Sequence, residues 1–321
     1  MSQSSAIHYI RVMRPDHWLK NVFILFGHAA AIVLLELPLG DGAWIGYGWV
    51  IALSLIPACF VASANYILNE ILDAPFDRAH PTKKHRAVPS GLVSIPILWG
   101  IMLGLLVVGF GMAWWWFNTS YLIALVLLFI SGLVYNVPPV RLKDRVFLDV
   151  IAESFNNPIR LWLGWYALGP ADSFPPLSIL LAWWFFGALL MAGKRYSEFR
   201  FINDAEQSAM YRRSFAHYTE KSLVISMITY ANFFCFCMGV AITYYFPNLL
   251  LVFPVVVGAI VIYFNSAMAD EAAQLEPEEL LKNPWIIIAT VCVVGLSAFL
   301  LWTPIDIPEK LNLLHLIPGG Q

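Results

Sequence analysis

The stretch from Asn69 to Gly91, NEILDAPFDRAHPTKKHRAVPSG, concentrates oxygen donors and cations in a chain that is otherwise 60% hydrophobic. Asn69, Asp73 and Asp77 are each four apart, and on a helix the positions i, i+4 and i+8 line one face. A row of carboxylate and amide oxygens at that spacing suits Mg²⁺, which takes a few carboxylates and completes its octahedron with water and substrate phosphate oxygens. A solvated helix end, where acids and amides are ordinary, is the plainer reading of the same residues. Pro75 interrupts the row. It lacks an N–H and crowds the turn before it at Ile71, which predicts a kink or helix end near Asp73 and a loop position for Asp77. Arg78, His80, Lys83, Lys84 and Arg86 follow directly. Cations beside metal-binding carboxylates match a diphosphate ligand, whose charge metal and cations share. Membrane topology alone would also place several cations here.

A second constellation lies in YNVPPVRLKDRVFLDVIAESFNNPIR. Asp149, Glu153 and Asn157 repeat the four-residue step, 80 positions after the first row and in reverse order of residue type. Asn156 and Arg160 form another i, i+4 pair, and Tyr135, Arg141, Lys143 and Asp144 precede them. Ionisable groups inside an apolar span are costly and usually face a cavity, although a polar seam between helices is the alternative. Two acid rows approaching from opposite sides could hold one metal diphosphate between them. A third cluster, GKRYSEFR, supplies Lys194, Arg195, Tyr196, Glu198 and Arg200, either as phosphate ligands or as a cationic anchor at a helix end. Near the start, MRPDHWLKN combines Arg14, Trp18, Lys20 and Asn21, with Trp18 and Lys20 reading as an interfacial anchor. His28 reads as a packed polar residue. The aromatic runs WWWF (114–117) and WWFF (183–186) read as interface belts rather than walls of a lipid pocket.

The elements that must position these residues are membrane spans. Charged residues are only 12% of the 321, and apolar stretches of about 20 residues, the length of a spanning helix, recur throughout. Nine spans are expected, near 21–38, 45–68, 93–116, 119–136, 147–168, 175–193, 221–245, 248–266 and 284–303. Seventeen of the nineteen Lys and Arg fall in the N-terminal arm and in the loops after the second, fourth, sixth and eighth spans, with Lys282 in the last. Arg160 lies in a span and Lys310 near the end. That asymmetry predicts a cytoplasmic N-terminus and cytoplasmic acidic loops. EPEELLKNP (276–284) reads as a short interfacial helix. A net charge of −2 gives no basic field for nucleic acid. The four cysteines form no CxxC pair, which argues against a disulfide or zinc site. The N-terminus lacks the pattern of a signal peptide. Phosphate-loop, HExxH and GxSxG motifs are absent.

Asn69-x-x-x-Asp73-x-x-x-Asp77 followed by DRAHPTKKHRAVPSG resembles the first signature of the UbiA superfamily of intramembrane prenyltransferases. Nine spans and a second polar motif after the fourth agree with it, and the resemblance covers essentially the whole chain. Glu70 stands where that signature usually has Asp. RPDHWLKN (14–21), DRAHPTKKHR (77–86), RLK (141–143) with Asp149, GKRYSE (193–198) and PEELLKNP (277–284) look most like the branch that makes decaprenyl-phosphate phosphoribose. YNVPPVRLK and VPSG look as much like the branches that prenylate rings. The resemblance implies a single all-α polytopic domain over 1–321, a helical bundle with cytoplasmic cap loops in a bacterial plasma membrane. It further implies an Mg²⁺-dependent transferase that releases diphosphate and uses a polyprenyl lipid, with a homo-oligomer left open. Asn69, Asp73, Asp77 and Asp149 are then the metal ligands. Lys83, Arg141 and Lys143 join Asp73, Asp77 and Asp149 as catalytic residues. Lys20, Arg86, Tyr135, Glu153, Asn157, Arg160, Lys194 and Arg195 bind substrate. Phosphoribosyl transfer from phosphoribosyl diphosphate to a polyprenyl phosphate is the preferred reaction, prenyl transfer to a ring acceptor the second, and anionic-lipid transport the alternative of another class.

Overall fold

The structure, a computed structural model, describes residues 3–40, 42–78, 83–202, 212–269 and 283–302. His80, Lys310 and the interfacial helix expected over 276–284, up to and including Lys282, lie outside them. Among the described residues every regular element is a helix. Their helices are α1 (Gln3–Met13), α2 (Phe23–Leu34), α3 (Ala43–Asp77), α4 (Ile95–Trp116), α5 (Thr119–Asn136), α6 (Leu148–Ser154), α7 (Asn156–Leu168), α8 (Leu177–Ile202), α9 (Glu220–Tyr245), α10 (Phe253–Met268) and α11 (Pro284–Trp302). Among the described residues eight helical segments are long and apolar enough to cross a membrane, 6–34, 43–77, 95–116, 119–136, 177–201, 220–245, 247–268 and 284–301. The molecule is therefore an all-helical, multi-pass membrane protein. Its chain groups into two compact units, 1–175 with 206–217, and 176–205 with 218–321.

In the first unit α2 packs on α7, and α3 on α4 and α5. Without a hydrophobic drive between helices in lipid, close approach depends on small residues. A Cβ on Gly27 would meet Gly164 Cα at 2.9 Å, and one on Gly164 would meet His28 N at 2.7 Å, so α2 and α7 cross backbone to backbone through this pair. His28 is buried beside the crossing, with Nε2 3.0 Å from Ser54 Oγ on α3. Asn118 caps α5 through Tyr121 N and ties the cap to the end of α7 by donating to Tyr166 O and Gly169 O at 2.8 and 3.0 Å.

Two elements depart from expectation. α3 has 35 residues, about 52 Å at 1.5 Å per residue, against roughly 30 Å of bilayer hydrocarbon. The surplus carries the helix past Asn69 to Asp77. Pro75 does not end it at Asp73. The lost N–H removes a single bond two residues from the helix end, and Arg78 N still donates to Ala74 O at 3.2 Å. The segment expected as one span over 147–168 is instead two helices meeting at Phe155. Pro158 has no N–H to offer Ser154 O, where α6 stops, and the Asn156 side chain donates to Glu153 O at 3.0 Å in place of a helical bond.

In the second unit α8 packs on α9, and α10 on α11. Phe185 stacks on Phe233, with ring centroids 4.9 Å apart, and Phe186 packs tilted against Phe234 at 5.3 Å, so the WWFF run feeds this helix pair. Trp114 and Trp115 at the end of α4 are exposed, as an interface belt requires.

Candidate diphosphate-binding site

α3 presents Asn69, Asp73 and Asp77 on the one face that the four-residue step predicts, at the end that outruns the apolar core. The loop after α5 folds back toward them. Pro138 and Pro139 end α5, and Arg141 takes a left-handed turn (φ 30°), so the short 3₁₀ turn Leu142–Asp144 points Lys143 at α3. Lys143 Nζ donates to Asp73 Oδ1 at 2.5 Å, to Asn69 Oδ1 at 3.1 Å and to Asn136 Oδ1 at 2.9 Å. Burial pushes the Lys143 ammonium below the usual lysine range, while Asp73 pulls it back up. Arg141 Nη2 donates to the same Asp73 oxygen at 3.0 Å, and its Nε lies 3.0 Å from Asp144 Oδ2. Arg86 Nη1 donates to Asp77 Oδ2 at 2.8 Å. Glu70, a helical neighbour of Asp73 and Asp77 at i+3 and i+7, is buried and accepts from Val88 N at 3.2 Å, which pins the 83–91 loop that carries Arg86.

The second acid row joins the first through the segment 212–216. Arg213 Nη1 lies 3.9 Å from Asp144 Oδ2. Arg212 Nη1 donates to Asp149 Oδ2 at 3.4 Å, and Arg212 Nη2 to Tyr135 OH at 3.0 Å. Ser214 Oγ donates to Asp149 Oδ2 at 3.3 Å, and Tyr135 OH donates to Glu153 Oε2 at 2.9 Å. Ion pairs therefore run from Asp73 through Arg141 and Asp144 to Arg213, and the adjacent Arg212 carries the network to Asp149. Asn157 lies beyond the break at Phe155 and takes no part in its hydrogen bonds, so the third step of the second row does not extend the face. Arg160 is deeper on α7, donating from Nε to Asn21 Oδ1 at 3.0 Å. Lys20 sits on the 3₁₀ turn Pro15–Val22 and Lys83 on the turn Lys83–His85. Lys194 and Arg195 belong to α8 in the second unit, where Arg195 Nη1 donates to Glu198 Oε2 at 3.1 Å in a buried pair.

Arg212, Ser214 and Asn136 were not singled out as site residues in the sequence. Arg212 reads there as one more topology cation, 63 residues from Asp149, and nothing in its spacing points back. Asn136 had a signal, since it is an amide in the last turn of α5, beside Tyr135, where a side chain can face a following loop.

The donor set fits a hard divalent cation. Asp73 Oδ2 and Asp77 Oδ1 enter none of the hydrogen bonds or ion pairs among the described residues, and neither is sealed from solvent. Asp149 is fully buried against Arg212 and Ser214. No three Asp, Glu, His or Cys side chains converge at metal-ligand spacing among the described residues. A cation here takes the rest of its shell from water and phosphate oxygens, as Mg²⁺ commonly does.

The sequence matches the UbiA prenyltransferase family over residues 24–287. It is 30% identical over 234 residues to a decaprenyl-phosphate phosphoribosyltransferase of Mycolicibacterium smegmatis, covering 72% of this chain and 68% of that one. It is 30% identical over 237 residues to the protein of that name in Mycobacterium tuberculosis, covering 72% of each. The structure of a UbiA homologue from Archaeoglobus fulgidus bound to GPP and Mg²⁺ superposes with a TM-score of 0.66 at 19% identity, over 92% of this chain and all of the other. The protein is thus an intramembrane transferase, and the chain belongs to the UbiA prenyltransferase family.

Proposed function

We propose that this protein transfers a phosphoribosyl group from phosphoribosyl diphosphate to a polyprenyl phosphate, at the cytoplasmic edge of a bacterial plasma membrane. The observation that supports it is the gathering of five loop cations, Arg86, Arg141, Lys143, Arg212 and Arg213, on Asp73, Asp77, Asp144 and Asp149. That excess of cations over the acids they pair with suits a multiply charged phosphate donor. The relatives named above carry the phosphoribosyltransferase name over most of their length.

Asn69, Asp73 and Asp77 would hold Mg²⁺, with Asp149 joining once it exchanges Arg212 for the ion. When bound, the metal neutralises and orients the diphosphate leaving group. The chain's own work is electrostatic. Lys143 and Arg141 shift from Asp73 to the phosphate oxygens as charge builds on the leaving group, and Arg86 follows from Asp77. The ribose carbon losing diphosphate becomes cation-like, and Glu153, oriented by Tyr135, faces that charge. Catalysis of this kind rests on position and on preorganised dipoles more than on covalent chemistry. Lys83 would add charge around the donor, and Lys20 and Asn157 would contact substrate.

The purified protein with Mg²⁺ should release diphosphate from phosphoribosyl diphosphate only when a polyprenyl phosphate is present. Consumption of prenyl diphosphates alone would instead establish ring prenylation. Asp73→Ala should abolish diphosphate release, and unchanged lipid movement in that variant would establish transport.

A further inference from the structure

Every acid in the network has a cation beside it, but two cations near it have no acid partner among the described residues. Arg160 on α7 is 7% exposed, and its single hydrogen bond among the described residues is the one from Nε to Asn21 Oδ1. Asn21 is itself fixed, donating from Nδ2 to Cys59 Sγ at 3.2 Å. Nε is therefore pinned and the two Nη groups aim elsewhere. Neither has a hydrogen-bond partner, yet neither is sealed from accessible space, and the same holds for the hydroxyl of Tyr66. Arg14 lies over the ring of Tyr66, its guanidinium carbon 5.7 Å from the ring centroid, and it also forms no ion pair among the described residues. Its backbone is held in the left-handed region, at φ 49°, a conformation that persists where surroundings over-determine it. The acids that bear on Tyr66 are Glu153 and Asp16. A buried guanidinium without a counter-charge is strongly unfavourable, and an open fork of N–H donors fits the oxygens of a phosphate.

We infer that Arg160, Arg14 and the Tyr66 hydroxyl form a second, metal-free anion site that takes the phosphate monoester head of the lipid acceptor. Tyr66, Asn69 and Asp73 share one face of α3 at i, i+3 and i+7, so this site lies about 10 Å along the helix from the acids that hold the donor. Asn21 is a positioning residue, since it fixes the fork through Nε and touches no substrate. The inference rests on the two-substrate reading proposed above, but the two can fail separately.

The test uses the full-length protein in detergent, with a radiolabelled short-chain polyprenyl phosphate, EDTA and no donor. Binding should be saturable and indifferent to Mg²⁺ removal. Arg160→Met and Arg160→Lys should each weaken it tenfold or more, and Arg14→Met severalfold. Mg²⁺-dependent binding of phosphoribosyl diphosphate should stay within twofold in the same variants, which also reports that they are folded. Unchanged lipid-phosphate affinity in Arg160→Lys and Arg14→Met overturns the assignment, as does joint loss of both ligands in Arg160→Lys. Displacement of the lipid by equal concentrations of inorganic phosphate or of an aromatic carboxylate overturns it as well, because the site would then serve a soluble anion. If phosphoribosyl diphosphate proves not to be a substrate while EDTA-resistant, Arg160-dependent lipid binding remains, the donor assignment falls and the anion site stands.

Discussion

At the scale of single residues the site is a set of carboxylates held by exchangeable cations. Asp73 shares one oxygen between Lys143 and Arg141, so its removal takes the carboxylate from Lys143, which keeps only the amides of Asn69 and Asn136, leaves Arg141 with Asp144 alone, and removes a metal ligand. Asp73→Asn should lower kcat/KM by a factor of 100 or more while Lys143 stays in place, measured as diphosphate release. Lys143→Ala should cost a similar factor, with Lys143→Arg recovering only part because a guanidinium cannot reach Asn69, Asp73 and Asn136 as one ammonium does. Glu70 was the position of the first motif with no role in the sequence, and its role is a single hydrogen bond to the loop. Glu70→Gln keeps an acceptor and should be near wild type. Glu70→Ala leaves Val88 N unmatched, about 1–3 kcal/mol, and should raise KM for the donor through a loosened Arg86, with thermal unfolding and KM as the readouts.

At the scale of elements the expectations that followed from local chemistry and those that depended on neighbours part company. The four-residue step of Asn69, Asp73 and Asp77 needs only a helix, and the helix is there. Its survival past Pro75 was not legible, because the proline rule counts the lost bond and not the packing that holds the last turn, where Glu70 and Asp77 grip the following loop. The break between α6 and α7 was legible in Pro158, yet apolar length suggested one continuous span. Pro158→Ala should favour a straighter 148–168 helix and misplace Glu153 relative to Tyr135. Activity is expected to fall at least tenfold with thermal stability unchanged or higher, a pairing that simple misfolding would not produce. The Gly27–Gly164 crossing is sensitive in the opposite sense. Gly164→Ala puts a methyl against backbone that cannot yield, and should cost roughly 1–3 kcal/mol as over-packing does, read as a lower unfolding temperature in detergent.

At the scale of the whole molecule, seventeen cations on one set of loops fix an expected sidedness. In a cysteine-free background reconstituted in vesicles, a cysteine at Ser90 should react with an impermeant maleimide from the side that also admits the water-soluble donor, and one at Asn118 only from the opposite side. Labelling of both from one face would overturn the topology. The sequence by itself determined that this chain lives in a bilayer, that acids recur at helical spacing, and that cations crowd the same loops. These follow from hydropathy, periodicity and charge, which are local properties. Only the tertiary structure decided which cation meets which acid: Lys143 with Asp73 across 70 residues, and Arg212 with Asp149 across 63. Those pairings depend on where loops return after the helices have packed. The same fold left Arg160 and Arg14 without an acid partner among the described residues, because a charge within a sequence carries no record of the partner that folding denies it.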